Sequence, residues 1–186
     1  MFLSRLFTRP SETEPADALY GVAVARAREP AFYRDFGVPD TVEGRFEMIS
    51  LHVYLILHRL KRASGARAHD SILGQALFDV MFADMDRSLR EMGVGDLGVG
   101  RRVKIMAEAF YGRIRAYDDG LAAGKPALAR ALARNVLNSS ESEPEGVALA
   151  RYVVNSIHAL ADVPDGELAR GRAVFAPLPG GATDDA

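Results

Sequence analysis

Residues 42–60 constrain the fold more than any other part of the chain. Val42, Phe46, Ile49, Val53, Ile56, Leu57 and Leu60 recur at steps of three and four, the period of one face of a helix. Met48, Leu51, Tyr54 and Leu55 carry the apolar surface almost all the way round. A helix that is apolar on most sides must be covered on most sides, so this one belongs at the centre of a helical domain. It does not read as a membrane span. Glu47, His52, His58 and Arg59 interrupt it, and no apolar run reaches the roughly 18 residues that cross a bilayer.

The flanking sequence is punctuated by helix starts and stops. A first helix is expected over 17–28, with Leu19, Val22 and Ala23 inward. Pro30 suits the first position of a short second helix that Gly37 would end. Asp40 followed by Glu43 resembles a capping box for the central helix. A fourth helix is expected over 70–92, lined by Ile72, Leu73, Leu77, Met81, Met85 and Leu89 and ended by Gly93, with Asp84–Arg87 and Asp86–Arg90 pairs on its wet face. A fifth runs over 99–121, with Val103, Met106, Phe110, Ile114 and Tyr117 inward, and Gly124 and Pro126 break the chain after it. Segments 126–137, 145–161 and 167–174 supply three more. The expected fold is all-α, a single compact helical bundle of about seven or eight helices. It spans residues 16–175, with a flexible N-terminal segment over 1–15 and a disordered, Pro- and Gly-rich tail over 176–186. A chain of 186 residues can bury roughly 70% of its unfolded surface and needs no staples.

Composition narrows the function. Lys and Arg number 23 against 25 Asp and Glu, so no bulk attraction to nucleic acid and no nucleic-acid sequence recognition is expected. There is no cysteine, which removes disulfides, thiolate metal sites and a Cys nucleophile. Residues 1–10 lack the longer apolar core of a signal peptide, so a cytoplasmic location is expected. Phe2, Leu3, Leu6 and Phe7 beside Arg5 and Arg9 leave peripheral contact with the inner membrane open.

The string Gly93-Val-Gly-Asp-Leu-Gly-Val-Gly100 matches a dinucleotide fingerprint in letters. That fingerprint must follow a strand, and the residues before it have helical period. A P-loop needs Lys and a hydroxyl residue where this chain has Arg101 and Arg102. The glycines therefore read as an interhelix turn. Arg101, Arg102 and Lys104 fall in the first turns of the next helix, where positive charge opposes the helix dipole. Such charge suits a solvated face, a partner's acidic segment or a small anion. Gly112 inside that helix is expected to allow close approach of a neighbouring helix. His52 and His58 are six apart and lack the spacing of a helical metal pair, although haem ligation by either stays open. Asp79, Asp84 and Asp86 fit no calcium or di-iron pattern. No catalytic residues, no metal site and no cofactor are assigned.

Several segments carry a resemblance. They are Leu51-His-Val-Tyr-Leu-Ile-Leu-His-Arg-Leu60, Gln75-Ala-Leu-Phe-Asp-Val-Met-Phe-Ala-Asp-Met-Asp86, Leu89-Arg-Glu-Met-Gly-Val-Gly-Asp-Leu97, Arg101-Arg-Val-Lys104 and Ala109-Phe-Tyr-Gly-Arg113. Over about residues 33–117 the chain resembles the ubiquinol–cytochrome c reductase (bc1 complex) assembly chaperones. The resemblance implies a non-enzymatic helper that binds newly made cytochrome b while haem and partner subunits are added. In mitochondrial members it also implies a small companion protein and work at the ribosome. Where the family often has a hydroxyl residue this chain has Gly98, so Asp96 or the backbone must serve the start of the fifth helix.

The partner-binding surface is accordingly expected at Met92, Val94, Asp96, Leu97, Arg101, Arg102 and Lys104, with Tyr111 and Arg113 nearby. A homodimer and contact with the ribosome or a membrane surface stay open. The alternatives are a small-anion or nucleotide-binding helical protein using the 93–100 turn with Arg101 and Arg102, and a plain helical dimerisation module.

Overall fold

A computed structural model describes residues 10–64, 72–139 and 144–178, the side chains of 10–12, 63, 64 and 97 excepted. Within them the chain forms eight helical segments and no strand: α1 Pro10–Ala27, α2 Pro30–Arg34, α3 Val42–Ser64, α4 Ile72–Glu91, α5 Asp96–Ala123, α6 Lys125–Val136, α7 Pro144–Ala161 and α8 Asp165–Leu168. The central helix is α3. Every residue from 47 to 57 is buried, and α3 packs on α1, α4, α6 and α7. The outer helices pair as α1 with α4, α5 with α6 and α6 with α7. Among the described residues no helix is long and apolar enough to cross a membrane.

Several boundaries differ from the expectation, each for a local reason. Thr41 rather than Asp40 caps α3, its hydroxyl accepting from the Gly44 amide at 3.1 Å. Asp40 instead pairs with Arg45 at 2.7 Å. Gly44 is needed because a Cβ there would collide with the Pro39 carbonyl oxygen. The described part of α1 begins at Pro10 and so includes residues 10–15. The last helix is α8, over 165–168 and not 167–174; Gly171, at φ +80°, turns the chain away. Beyond it Phe175 packs edge-on against His52, centroids 4.9 Å apart. The Ala176 amide donates to Ser156 Oγ at 3.3 Å, and its carbonyl accepts from Arg26. Residues 176–178 are therefore docked, while 1–9 and 179–186, with the N-terminal amphipathic reading, lie outside the described residues.

His52 anchors this region. It is fully buried, with Nδ1 2.8 Å from the Met48 carbonyl and Nε2 2.8 Å from the Tyr152 hydroxyl. A carbonyl only accepts, so Nδ1 carries the proton and Nε2 accepts from Tyr152. Arg26 Nε donates to the same hydroxyl at 3.2 Å. With both ring nitrogens engaged, His52 cannot ligate haem.

The glycine that allows close helix approach is Gly120, not Gly112. A Cβ on Gly120 would lie 2.9 Å from Leu128 Cα, where α5 crosses α6, whereas nothing lies within 4 Å of a Cβ on Gly112. The two alanine substitutions should therefore have opposite signs in thermal melts. Gly120→Ala overpacks the crossing and should cost about 1–3 kcal/mol. Gly112→Ala, in an exposed helix interior, should gain up to about 1 kcal/mol.

Candidate functional site

The turn between α4 and α5 is built by backbone hydrogen bonds. Gly93 stands at φ +82° and donates to the Arg90 carbonyl at 2.9 Å, while Val94 N donates to the Leu89 carbonyl at 3.0 Å. This is a Schellman ending, and its left-handed residue is the reason for glycine at 93. Val94 then folds over α5: its Cγ1 would lie 3.1 Å from any Cβ on Gly98. Helix α5 opens at Asp96, three residues earlier than expected, so Gly98 and Gly100 belong to the helix and not to the turn. No side chain caps α5; the Gly95 carbonyl accepts the Gly98 and Val99 amides at 2.8 and 3.1 Å. Asp96 lies in the first turn, where its charge suits the dipole, and pairs with Arg90. Arg90 also holds Asp86 at 2.6 Å, so one guanidinium ties both helix ends together.

Most of the expected surface faces outward. Met92, Asp96, Arg101, Arg102, Lys104 and Tyr111 are exposed and Val94 is partly covered. Val99 is fully buried and anchors the start of α5 inward. Leu97 is the second residue of α5, and its side chain lies outside the described set. Among the described residues Arg101 and Arg102 have no carboxylate partner, and Lys104 reaches Glu108 only at 3.9 Å. Exposed Ile105 lies beside them on the helix. Tyr111 stacks on Phe78 with centroids 5.4 Å apart and planes at 29°.

Arg113 is the exception. Its guanidinium grips both carboxylate oxygens of Glu47 on α3 in a fork, so it is turned towards the bundle. Burial pushes the Glu47 carboxyl up, against the pull of Arg113.

A cavity of about 570 Å³ that the sequence did not announce opens between α3, α4 and α5. Tyr54, His58 and Lys61 line it from α3 at helical spacing, opposite Phe78 and Asp118. The Tyr54 hydroxyl donates to Asp118 Oδ1 at 2.9 Å, and Lys61 Nζ is 3.4 Å from Oδ2. His58 Nδ1 lies 3.5 Å from Asp118 without a hydrogen bond, and burial pushes its pKa down. Among the described residues no three His, Asp or Glu side chains converge as a metal would need. Nor does a strand precede the 93–100 segment, so the nucleotide-loop alternative has no structural basis there.

Fold and surface together define a helical scaffold that carries an outward basic turn. Residues 34–175 match the sequence model of the ubiquinol–cytochrome C chaperone family, and the chain belongs to that family. Ubiquinol-cytochrome-c reductase complex assembly factor 1 of Xenopus laevis is 30% identical over 163 residues, covering 86% of this chain and 80% of that protein. Protein CBP3, mitochondrial, of Saccharomyces cerevisiae is 28% identical over 150 residues, covering 78% of this chain and 44% of the yeast protein. The chain likewise spans only 53% of the human assembly factor 1. The crystal structure of the Cbp3 homolog from Brucella abortus has the same fold, with a TM-score of 0.75 at 40% identity, covering 90% of this chain and 91% of that one.

Proposed function

We propose that this protein is an assembly chaperone of the ubiquinol–cytochrome c reductase (bc1) complex. It acts without catalysing a reaction, by binding newly made cytochrome b through the turn and the first exposed residues of α5. Membership of the chaperone family carries the reading, and the relatives named for assembly of this complex support the choice of client. Arg101 and Arg102, without a carboxylate partner among the described residues, and exposed Met92 and Ile105 offer the mixed charged and apolar contact that loops of a membrane subunit present. Positive side chains there oppose the helix dipole, so they gain from an acidic group supplied from outside. The work is done at the inner membrane surface.

Removal of the gene tests this. The amount of mature bc1 complex on native gels should fall several-fold, and newly made cytochrome b should turn over faster. Normal levels of the complex would contradict the reading and favour a plain dimerisation module.

A further inference from the structure

We propose that the groove between α5 and α6 is a second docking surface, which takes an acidic helical segment of a protein partner. The first observation is charge. Residues 96–136 hold eight Lys and Arg against four Asp and Glu, in a chain where the two classes nearly balance. Three of those four acids are already engaged, Asp96 by Arg90, Asp118 by Tyr54 and Lys61, and Glu108 by Lys104, while of the eight cations Arg113 is held by Glu47. Arg115 on α5 and Arg130 and Arg134 on α6 line the groove. All three are exposed and, among the described residues, none has a carboxylate within ion-pair distance. Asp119 is the one acid among the lining residues.

The second observation is shape. The groove holds about 440 Å³, and Ala116, Ala123, Ala127 and Ala131 line it with nothing beyond a methyl group. Over Gly112 there is open space where a side chain would stand. An open groove with cations on both helices and small apolar side chains between them fits a rod whose acidic side chains reach outward to the arginines. Membrane and nucleic acid, the other anionic partners, are separated by the test below. Long-range attraction of this kind weakens with salt. This surface shares no residue with the turn assigned to cytochrome b.

The test uses the full chain and fluorescence anisotropy at low ionic strength. The probes are a fluorescein-labelled 20-residue Glu/Ala helical peptide, a 20-nucleotide RNA, and phosphatidylglycerol vesicles read by co-sedimentation. The peptide should bind saturably. Arg130→Glu with Arg134→Glu should weaken it at least tenfold, Gly112→Leu should weaken it with every charge kept, and Arg101→Glu with Arg102→Glu should weaken it far less than the groove pair. Should the charge-reversed pair fail to fold, Gly112→Leu, at an open helix position, decides alone. The proposal is overturned if the peptide does not bind, if Gly112→Leu binds as wild type, if the turn variant loses binding equally, or if RNA or vesicles are the probes that the groove variants release. None of these results touches the role of the turn, which is read by recovery of cytochrome b.

Discussion

Arg113→Ala should destabilise the fold by about 3–5 kcal/mol, the usual cost of removing one partner from a buried ion pair. The Arg113 side chain is 18% exposed and that of Glu47 10%. Two guanidinium nitrogens meet two carboxylate oxygens, the geometry in which such a pair is strongest. Without the guanidinium, Glu47 is left charged on a helix whose next ten residues are all buried. Burial already pushes its carboxyl up with Arg113 in place, and the variant removes the opposing pull. A carboxyl whose folded pKa lies above its unfolded value penalises the folded state at high pH and less as pH falls through that range. The deficit of the variant should therefore be largest near pH 7 and shrink at pH 5. Urea midpoints at the two pH values check this, and adding Glu47→Leu should recover much of the loss. Against a total of about 5–15 kcal/mol, the effect is severe. Any failure of Arg113→Ala to bind a client should track its stability, unlike a failure at Arg101.

Acid should weaken the protein through His52. Burial pushes its pKa down to about 4. In the unfolded chain the ring takes a proton near 6.5, so between those values the unfolded state binds more protons. Stability then falls as pH falls, by about 1.4 kcal/mol per pH unit and roughly 3 kcal/mol across the window. His58, pushed down by its own burial, acts in the same sense. Glu47, pushed up, acts in the opposite sense, so the informative quantity is a difference between variants. His52→Leu should cost about 1–3 kcal/mol at pH 7, because the Tyr152 hydroxyl loses its acceptor. The same variant should show a visibly flatter stability profile from pH 6.5 to 4. Chemical denaturation at half-unit pH steps checks it; parallel profiles for the two proteins would contradict it.

What was legible in the sequence was local. The stripe from Val42 to Leu60 located α3 and its central place, because apolar period and burial are the same fact seen twice. The basic start of α5 at Arg101, Arg102 and Lys104 was legible as charge that opposes the helix dipole, and all three side chains are exposed. What failed depended on distant residues. Gly112 and Gly120 read alike along the chain, and only the crossing of α6 over Leu128 shows which one is needed. Arg113 resembled its basic neighbours, but its partner is 66 residues away. The hydroxyl that closes the bonding of His52 is 100 residues away. The start of α5 was placed late because four glycines were read as one turn, when only Gly93 uses its left-handed freedom there. Asp40 has the letter of a cap, but Thr41 occupies the position.

Recovery of cytochrome b with the tagged protein from mild detergent reads the role of the α4–α5 turn. Arg101→Glu with Arg102→Glu changes two exposed side chains that have no carboxylate partner among the described residues, so the variant should melt as the wild type does. It should bring down several-fold less cytochrome b than the wild type. Equal recovery by a fully folded variant would contradict that role.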